Sequence, residues 1–264
     1  MKWLIVTMMA IIALPLLAYD LNNLKGSVVR ICDDGAEWPP YTYYKRENKK
    51  RTNEIVGYSV EVIDIILSKY KIRYKIDLLP WKRCLSEVKQ GTRYQMILNA
   101  TSNPERLQQY HLSIPYFRTH YYYFYSKNYF PDGLDVKAQS DLNKYAIGGV
   151  QGYSYSNLSE IDKESMIRTH NYVTLVNMLH RGRVQVFAED IEILAGLTQI
   201  GVYDFMGDPA LGRAPLPGVA DNTFHMMFTK QELIGEMLKY VVDQEIVNME
   251  KSGELSSIIK KYMK

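Results

Sequence analysis

The sequence predicts an α/β protein of two doubly wound lobes joined by two β-strand crossovers, with a ligand cleft between the lobes. Three observations carry this. Strand-like apolar runs alternate with helical segments in the order β-α-β-α-β over residues 28–98, the pattern of a parallel sheet with crossover helices. A helix-glycine-strand unit recurs weakly, with Gly91-Thr92-Arg93-Tyr94-Gln95-Met96-Ile97 answered by Gly182-Arg183-Val184-Gln185-Val186-Phe187. Two β-prone runs, 117–125 and 224–228, sit at the seams of the halves. If they pair, the chain crosses between lobes twice and the first lobe is discontinuous. The boundaries that follow are 25–119 with 219–264 for lobe 1, and 120–218 for lobe 2.

The 264 residues suffice for two such lobes, and 47% hydrophobic with 23% charged residues is an ordinary globular composition. A net charge of +3 and the lack of a long basic block argue against nucleic acid as a partner. Residues 1–18 carry Lys2, then an uncharged run ending at Ala18, and read as a cleaved signal peptide. The run is short against the roughly 20 residues that a bilayer core demands. Export would place Cys32 and Cys84 where disulfides persist. A helix after the second strand crosses over the first strand, so a Cys32–Cys84 bridge is expected; two buried thiols are the alternative.

Along the chain, residues 28–31 form the first strand. They lead into Asp33-Asp34-Gly35-Ala36-Glu37-Trp38-Pro39-Pro40-Tyr41, where the proline pair aims two aromatics, either as packing or as a ligand platform. Residues 42–56 are polar and read as a hairpin or loop. Residues 59–70 make an amphipathic helix with Val60, Ile63, Ile66, Leu67 and Tyr70 on one face. A second strand follows at 74–78, a second helix at 81–89, and a third strand at 96–98. That strand ends in Asn99-Ala100-Thr101-Ser102-Asn103, after which Pro104 starts a turn carrying Arg106. At the carboxyl edge of an open sheet, such a guanidinium can grip a carboxylate with two parallel hydrogen bonds. In the second half, strands are expected at 145–150 and 184–188, and helices at 174–180 and 190–197. Residues 151–154 read as a tight turn into a further helix. Helical segments at 231–251 and 255–262 pack back on lobe 1.

With W-P-P-Y, G-Y-S-V-E-V-I-D-I-I, A-T-S-N-P-E-R-L-Q-Q-Y-H-L-S-I-P-Y, G-V-Q-G-Y-S and G-R-V-Q-V-F-A-E-D in this order, the chain resembles the periplasmic solute-binding proteins of polar amino-acid ABC importers, bacterial extracellular solute-binding family 3. The resemblance implies a periplasmic monomer that hands an amino acid to an inner-membrane ABC permease, with no cofactor and no metal. It implies that Arg106 and Thr101 hold the α-carboxylate, that the backbone near Asn99 takes the ammonium, and that Trp38 packs on the ligand. It further implies that Gly152-Tyr153-Ser154 offers backbone N–H groups from a helix start, and that Asp190 holds the ammonium from lobe 2. Glu37, Tyr41, Trp81, Arg83 and Glu189 are candidates for the cleft rim. Tyr153 departs from the small residue usual in that turn. Gln95 and Gln185 stand where the family commonly has structural aspartates. The tyrosines at 121, 122, 123 and 125 read as strand packing. The five histidines are scattered without metal-ligand spacing. A sensing module without transport, or a periplasmic enzyme akin to the cyclohexadienyl dehydratases, are the competing classes.

Overall fold

A computed structural model describes Gly26 and residues 28–263. The expected signal peptide lies outside the described residues. Among them, no helix is long and apolar enough to cross a membrane.

Lobe 1 is built on a sheet of order β4-β1-β5-β13-β6, with β7 also on β13. Its strands are β1 (Val28–Asp34), β4 (Arg73–Leu79), β5 (Met96–Thr101), β6 (Tyr110–Leu112), β7 (Phe117–Thr119) and β13 (Asn222–Thr229). The central members β1 and β5 are apolar on both faces because helices cover both sides of a parallel sheet. The helix α1 (Tyr58–Lys69) buries Tyr58, Ser59, Val62, Ile63, Ile66 and Leu67. Its buried face is therefore rotated from the expected one, taking Val62 in and leaving Val60 half-buried. The helix α2 (Trp81–Gln90) buries Trp81, Cys84 and Val88. Residues 42–56 form a hairpin, β2 (Tyr43–Glu47) and β3 (Lys50–Val56), closed by Asn48 and Lys49 at φ 50° and 64°, the left-handed pair that a two-residue hairpin turn requires.

Lobe 2 carries a sheet of order β10-β9-β11-β8-β12: β8 (Tyr121–Ser126), β9 (Ile147–Val150), β10 (Ile167–Thr169), β11 (Val186–Asp190) and β12 (Leu211–Pro215). Strands β10 and β12 are not evident from the sequence, being short and only partly apolar. The helices α4 (Tyr172–His180) and α5 (Ile191–Gln199) complete it. Near the C-terminus, α6 (Leu233–Ser252) and α7 (Glu254–Tyr262) share an apolar cluster with α1 of lobe 1.

The tyrosine-rich exit run divides in two. Only β7 pairs with β13, in the register Phe117↔Phe224 and Asn222↔Thr119. The tyrosines of β8 pair instead with β11 and β12 inside lobe 2. The break falls at His120, so the chain enters lobe 2 through one residue between two strands. At the crossing Tyr41 stacks on Phe117 at 3.9 Å, and Phe117 on Phe224 at 4.7 Å, which ties both crossovers together.

The two lobes repeat one backbone device. Gln95 Oε1 accepts from Arg30 N at 2.9 Å while Gln95 N donates to Arg30 O. Gln185 Oε1 accepts from Ala146 N at 2.9 Å while Gln185 N donates to Ala146 O. Each glutamine thus fixes the entry of one parallel strand beside its neighbour. An amide carbonyl serves this purpose as well as a carboxylate would, without a buried charge.

Cys32 of β1 and Cys84 of α2 form a disulfide with Cα atoms 5.7 Å apart, inside an apolar cluster with Val88, Ile97 and Met227. The bridge closes a chain segment of sequence separation 52, for which loop entropy gives about 4 kcal/mol of stabilisation. Reduction, or the Cys32→Ala/Cys84→Ala pair, should lower the unfolding free energy by an amount of that order in urea titrations. An unchanged midpoint would show that the bridge contributes nothing.

Candidate functional site

Between the lobes lies a cavity of about 50 Å³. Lobe 1 contributes the carboxyl ends of β1 and β5, the loop carrying Trp38, and α3 (Pro104–Gln109); lobe 2 contributes residues 153–156 and the end of β11; Asn222 and Phe224 come from the second crossover. This is the edge of an open α/β sheet where ligands bind.

Among the described residues that line the cavity, Arg106 is the one cation. Asn103 caps α3, its Oδ1 accepting from Arg106 N at 2.8 Å, and Pro104 occupies the first turn, so the helix start is fixed. The side chain then folds back, Nη1 donating to Thr101 O at 2.8 Å and Thr101 Oγ1 at 2.7 Å. Its guanidinium lies over the Trp81 ring, 5.4 Å from the centroid. Burial pushes its pKa down to about 10. No carboxylate among the described residues forms an ion pair with it. A buried guanidinium without an acid is costly unless an anion reaches it.

The acids stand on the opposite wall. Glu189 and Asp190 end β11 and are both buried. Asp190 accepts from Thr119 Oγ1 at 2.8 Å and from Asn222 Nδ2 at 3.3 Å, one residue from each crossover. Glu189 accepts from Tyr155 Oη at 3.2 Å and from Asp190 N at 3.1 Å. Burial raises Glu189 to about 7, and burial followed by the charge of Glu189 holds Asp190 well above the usual range. Two adjacent buried carboxyls cannot both ionise cheaply, and a cation placed beside them would favour the second ionisation.

A third group of acids is satisfied internally. Asn99 donates from Nδ2 to Asp33 Oδ2 and to Thr42 Oγ1, while its Oδ1 accepts from Ser59 Oγ at 2.6 Å and Tyr116 Oη at 3.0 Å. Burial raises Asp33 to about 7. Asp34 accepts from Ala36 N at 2.9 Å and, across the cleft, from Tyr153 Oη at 3.0 Å. The Tyr153 ring stands edge-on to Trp38 at 5.2 Å.

Of the residues expected in the site, Trp38, Asn99, Thr101, Arg106, Tyr153, Ser154 and Asp190 line the cavity, with Trp81 and Glu189. The expected helix after Gly152 is absent. Residues 151–166 are irregular, because Gly152 takes φ +86° and Tyr155 takes φ 48°, turning the chain back so that Tyr155 Oη accepts from Val150 N at 2.8 Å. No helix N-terminus therefore faces the cavity from this turn, and Gly152 lies outside the lining, near Trp81 and Lys82. Three rim candidates point elsewhere. Glu37 is held by Arg46 through bonds of 2.7 and 2.8 Å, Arg83 pairs with Glu87 on the exposed face of α2, and Tyr41 is buried behind Phe117. Tyr121, expected as strand packing, lines the cavity because β8 begins at the cleft floor. Sequence reading also passes over Asp33, Asp34, Tyr155, Ser156, Asn222 and Phe224. Only the Asp33-Asp34 doublet at a strand end could have signalled itself, since the others reach the site through irregular backbone or the returning crossover.

A cleft between two α/β lobes, with a buried cation on one wall and a buried acid pair on the other, defines the bilobed class of solute-binding proteins. Residues 29–264 match the model of the bacterial extracellular solute-binding proteins, family 3, and the chain belongs to that family. It is 22% identical over 267 aligned residues to the probable amino-acid-binding protein YxeM of Bacillus subtilis strain 168, covering 99% of this chain and 94% of that one. Its fold is similar to the amino acid ABC transporter substrate-binding protein AbpA of Streptococcus pneumoniae, solved with L-arginine, at a TM-score of 0.71 and 19% identity over 89% of this chain and 94% of that one. It is also similar to the arginine-, lysine-, histidine-binding protein ArtJ of Geobacillus stearothermophilus, at 0.68 and 21% identity over 89% and 94%.

The raised acids set a pH dependence. Asp33, Glu189 and Asp190 hold protons in the folded chain that their unfolded forms release near pH 4, so the folded state binds more protons and stability falls as pH rises towards about 7. His120, raised by Glu192, acts in the same direction as it deprotonates, while His111 and His225, lowered by burial, act in the opposite direction and offset part of the effect. The lowered acids, such as Asp208 and Glu245, lose their stabilisation only below the ordinary carboxylate range. The ligand-free protein should therefore melt at a higher temperature near pH 5.5 than near pH 7.5 by scanning calorimetry. A higher melting temperature at pH 7.5 would contradict these assignments.

Proposed function

We propose that the protein captures a zwitterionic amino acid in the cleft by closure of the two lobes, and delivers it to an ABC permease. The observation that carries this reading is the opposed pair of buried charges. Among the described residues neither Arg106 nor the Glu189–Asp190 pair forms an ion pair, although the charge of Arg168 reaches Glu189, and all three face one cavity. A ligand carrying both a carboxylate and an ammonium satisfies both walls at once. One with a single charge leaves the other wall unpaired.

Because the carboxylate site belongs to lobe 1 and the acids to lobe 2, the ligand's contacts are complete only when the lobes meet. Its differential affinity for that state drives closure. Lobes 25–119 with 219–264 and 120–218 are the proposed moving units. Direct contacts across the cleft support closure at this interface: Asn103 Nδ2 donates to Ser154 Oγ at 3.1 Å, and Tyr153 Oη to Asp34. On the lobe 2 side of the hinge, Gly196 of α5 meets the Pro39 carbonyl so closely that a Cβ there would stand 2.4 Å from the oxygen. The names of YxeM and AbpA, an amino-acid-binding protein and an ABC transporter substrate-binding protein, support the class of ligand and the transport role. The protein acts as an exported monomer, and binding rather than turnover is its task.

Arg106→Ala should lose roughly 3–5 kcal/mol of amino-acid binding, enough to abolish measurable heats at micromolar protein in isothermal titration calorimetry. Wild-type affinity in a folded Arg106→Ala protein would remove the carboxylate site.

A further inference from the structure

We propose that Tyr153 limits the length of the amino acid that the cleft accepts, so that short side chains are taken and long cationic ones are excluded. The proposal deepens the amino-acid reading and rests on it. In lobe 1 the sheet order places β13 on one side of β5 and β1 on the other. Asp190 is anchored at the β13 side, through Asn222, and the Asp34–Trp38 wall stands at the β1 side. With the head group claimed by Arg106 and the acids, the side chain runs towards Asp34 and Trp38. That end is already filled. Tyr153 crosses from lobe 2, sets its ring against Trp38 at 5.2 Å, and places its hydroxyl 3.0 Å from Asp34 Oδ2.

Tyr153 is well supported in this position. Its ring also meets Tyr155 at 6.5 Å and Tyr172 at 6.1 Å, and it packs against three apolar clusters among the described residues. The space left beside it is about 50 Å³, on a measure where one water needs roughly 10–15 Å³. That suits an amino-acid head group with a few further atoms. Asp34 would otherwise offer an acid to a terminal ammonium or guanidinium, but here its free oxygen is satisfied by a neutral phenol. Swinging the ring out would leave Asp34 without that donor and expose the aromatic surface it covers. Length selection therefore follows from an internal side chain that stands where a ligand's own side chain would lie.

The test is a calorimetric series on the mature wild-type protein with L-alanine, L-2-aminobutyrate, L-lysine and L-arginine, repeated on Tyr153→Ala and Tyr153→Phe. Wild type should bind the two short amino acids and discriminate against lysine and arginine by on the order of a hundredfold or more. Tyr153→Ala should shift the arginine-to-alanine preference by about tenfold or more towards arginine, and Tyr153→Phe, which keeps the ring, should continue to exclude arginine. The wild-type series stands alone should Tyr153→Ala fail to fold. Arginine or lysine binding to wild type as tightly as alanine would overturn the length limit and leave the amino-acid reading intact. An unshifted preference in folded Tyr153→Ala would also overturn it. Binding of no amino acid of either length, to wild type or variant, would overturn the amino-acid reading and the length limit with it.

Discussion

The molecule is organised around charges that its fold holds apart. Arg106 is buried on lobe 1 and Glu189 with Asp190 on lobe 2, and among the described residues none of the three forms an ion pair. A direct pairing of these groups would be the cheapest arrangement for the isolated chain. The fold forbids it by anchoring each side separately. Arg106 is tied back to Thr101 on its own lobe, and Asp190 is tied to the crossover strands through Thr119 and Asn222. The cost appears as a guanidinium pKa pushed down and carboxyl pKa values pushed up. Stability given up at a site in this way is the usual mark of a place prepared for a ligand.

The same anchoring joins site to hinge. Asp190 touches both chain crossings, and Phe224, which lines the cavity, is stacked on Phe117 of the other crossing. In the proposed closure, an ammonium at the acid pair acts on groups bonded to the two strands that join the lobes. No long relay of residues is needed between binding and motion. The cavity floor and the two crossovers share one set of side chains.

Much of the fold was legible because it rests on local patterns. The β-α-β alternation, the glycines ending helices and the repeated glycine-to-strand unit all report short-range backbone constraints. The two lobes, the disulfide, and Arg106 beside Thr101 follow from them. Where reading failed, long-range contacts decided. A turn resembling a helix start became irregular because Tyr155 folds back on Val150. Tyr41 looks like a cleft aromatic by its neighbours, yet it lies beneath Phe117. Asn222 and Phe224 reach the cavity only because a strand from the far end of the chain inserts beside β5. No local signal marks such a partner. The hydroxyl of Tyr153 on Asp34 is likewise a contact between residues 119 positions apart in sequence.

The central claim is that one ligand must satisfy both walls. It is tested most directly by titrating the wild-type protein with L-alanine, with alaninamide, which lacks the carboxylate, and with propionate, which lacks the ammonium. The account predicts binding of L-alanine and a loss of at least about two orders of magnitude in affinity for each single-charge analogue. Equal binding of L-alanine and either analogue would contradict it, because one wall of the cleft would then be contributing nothing.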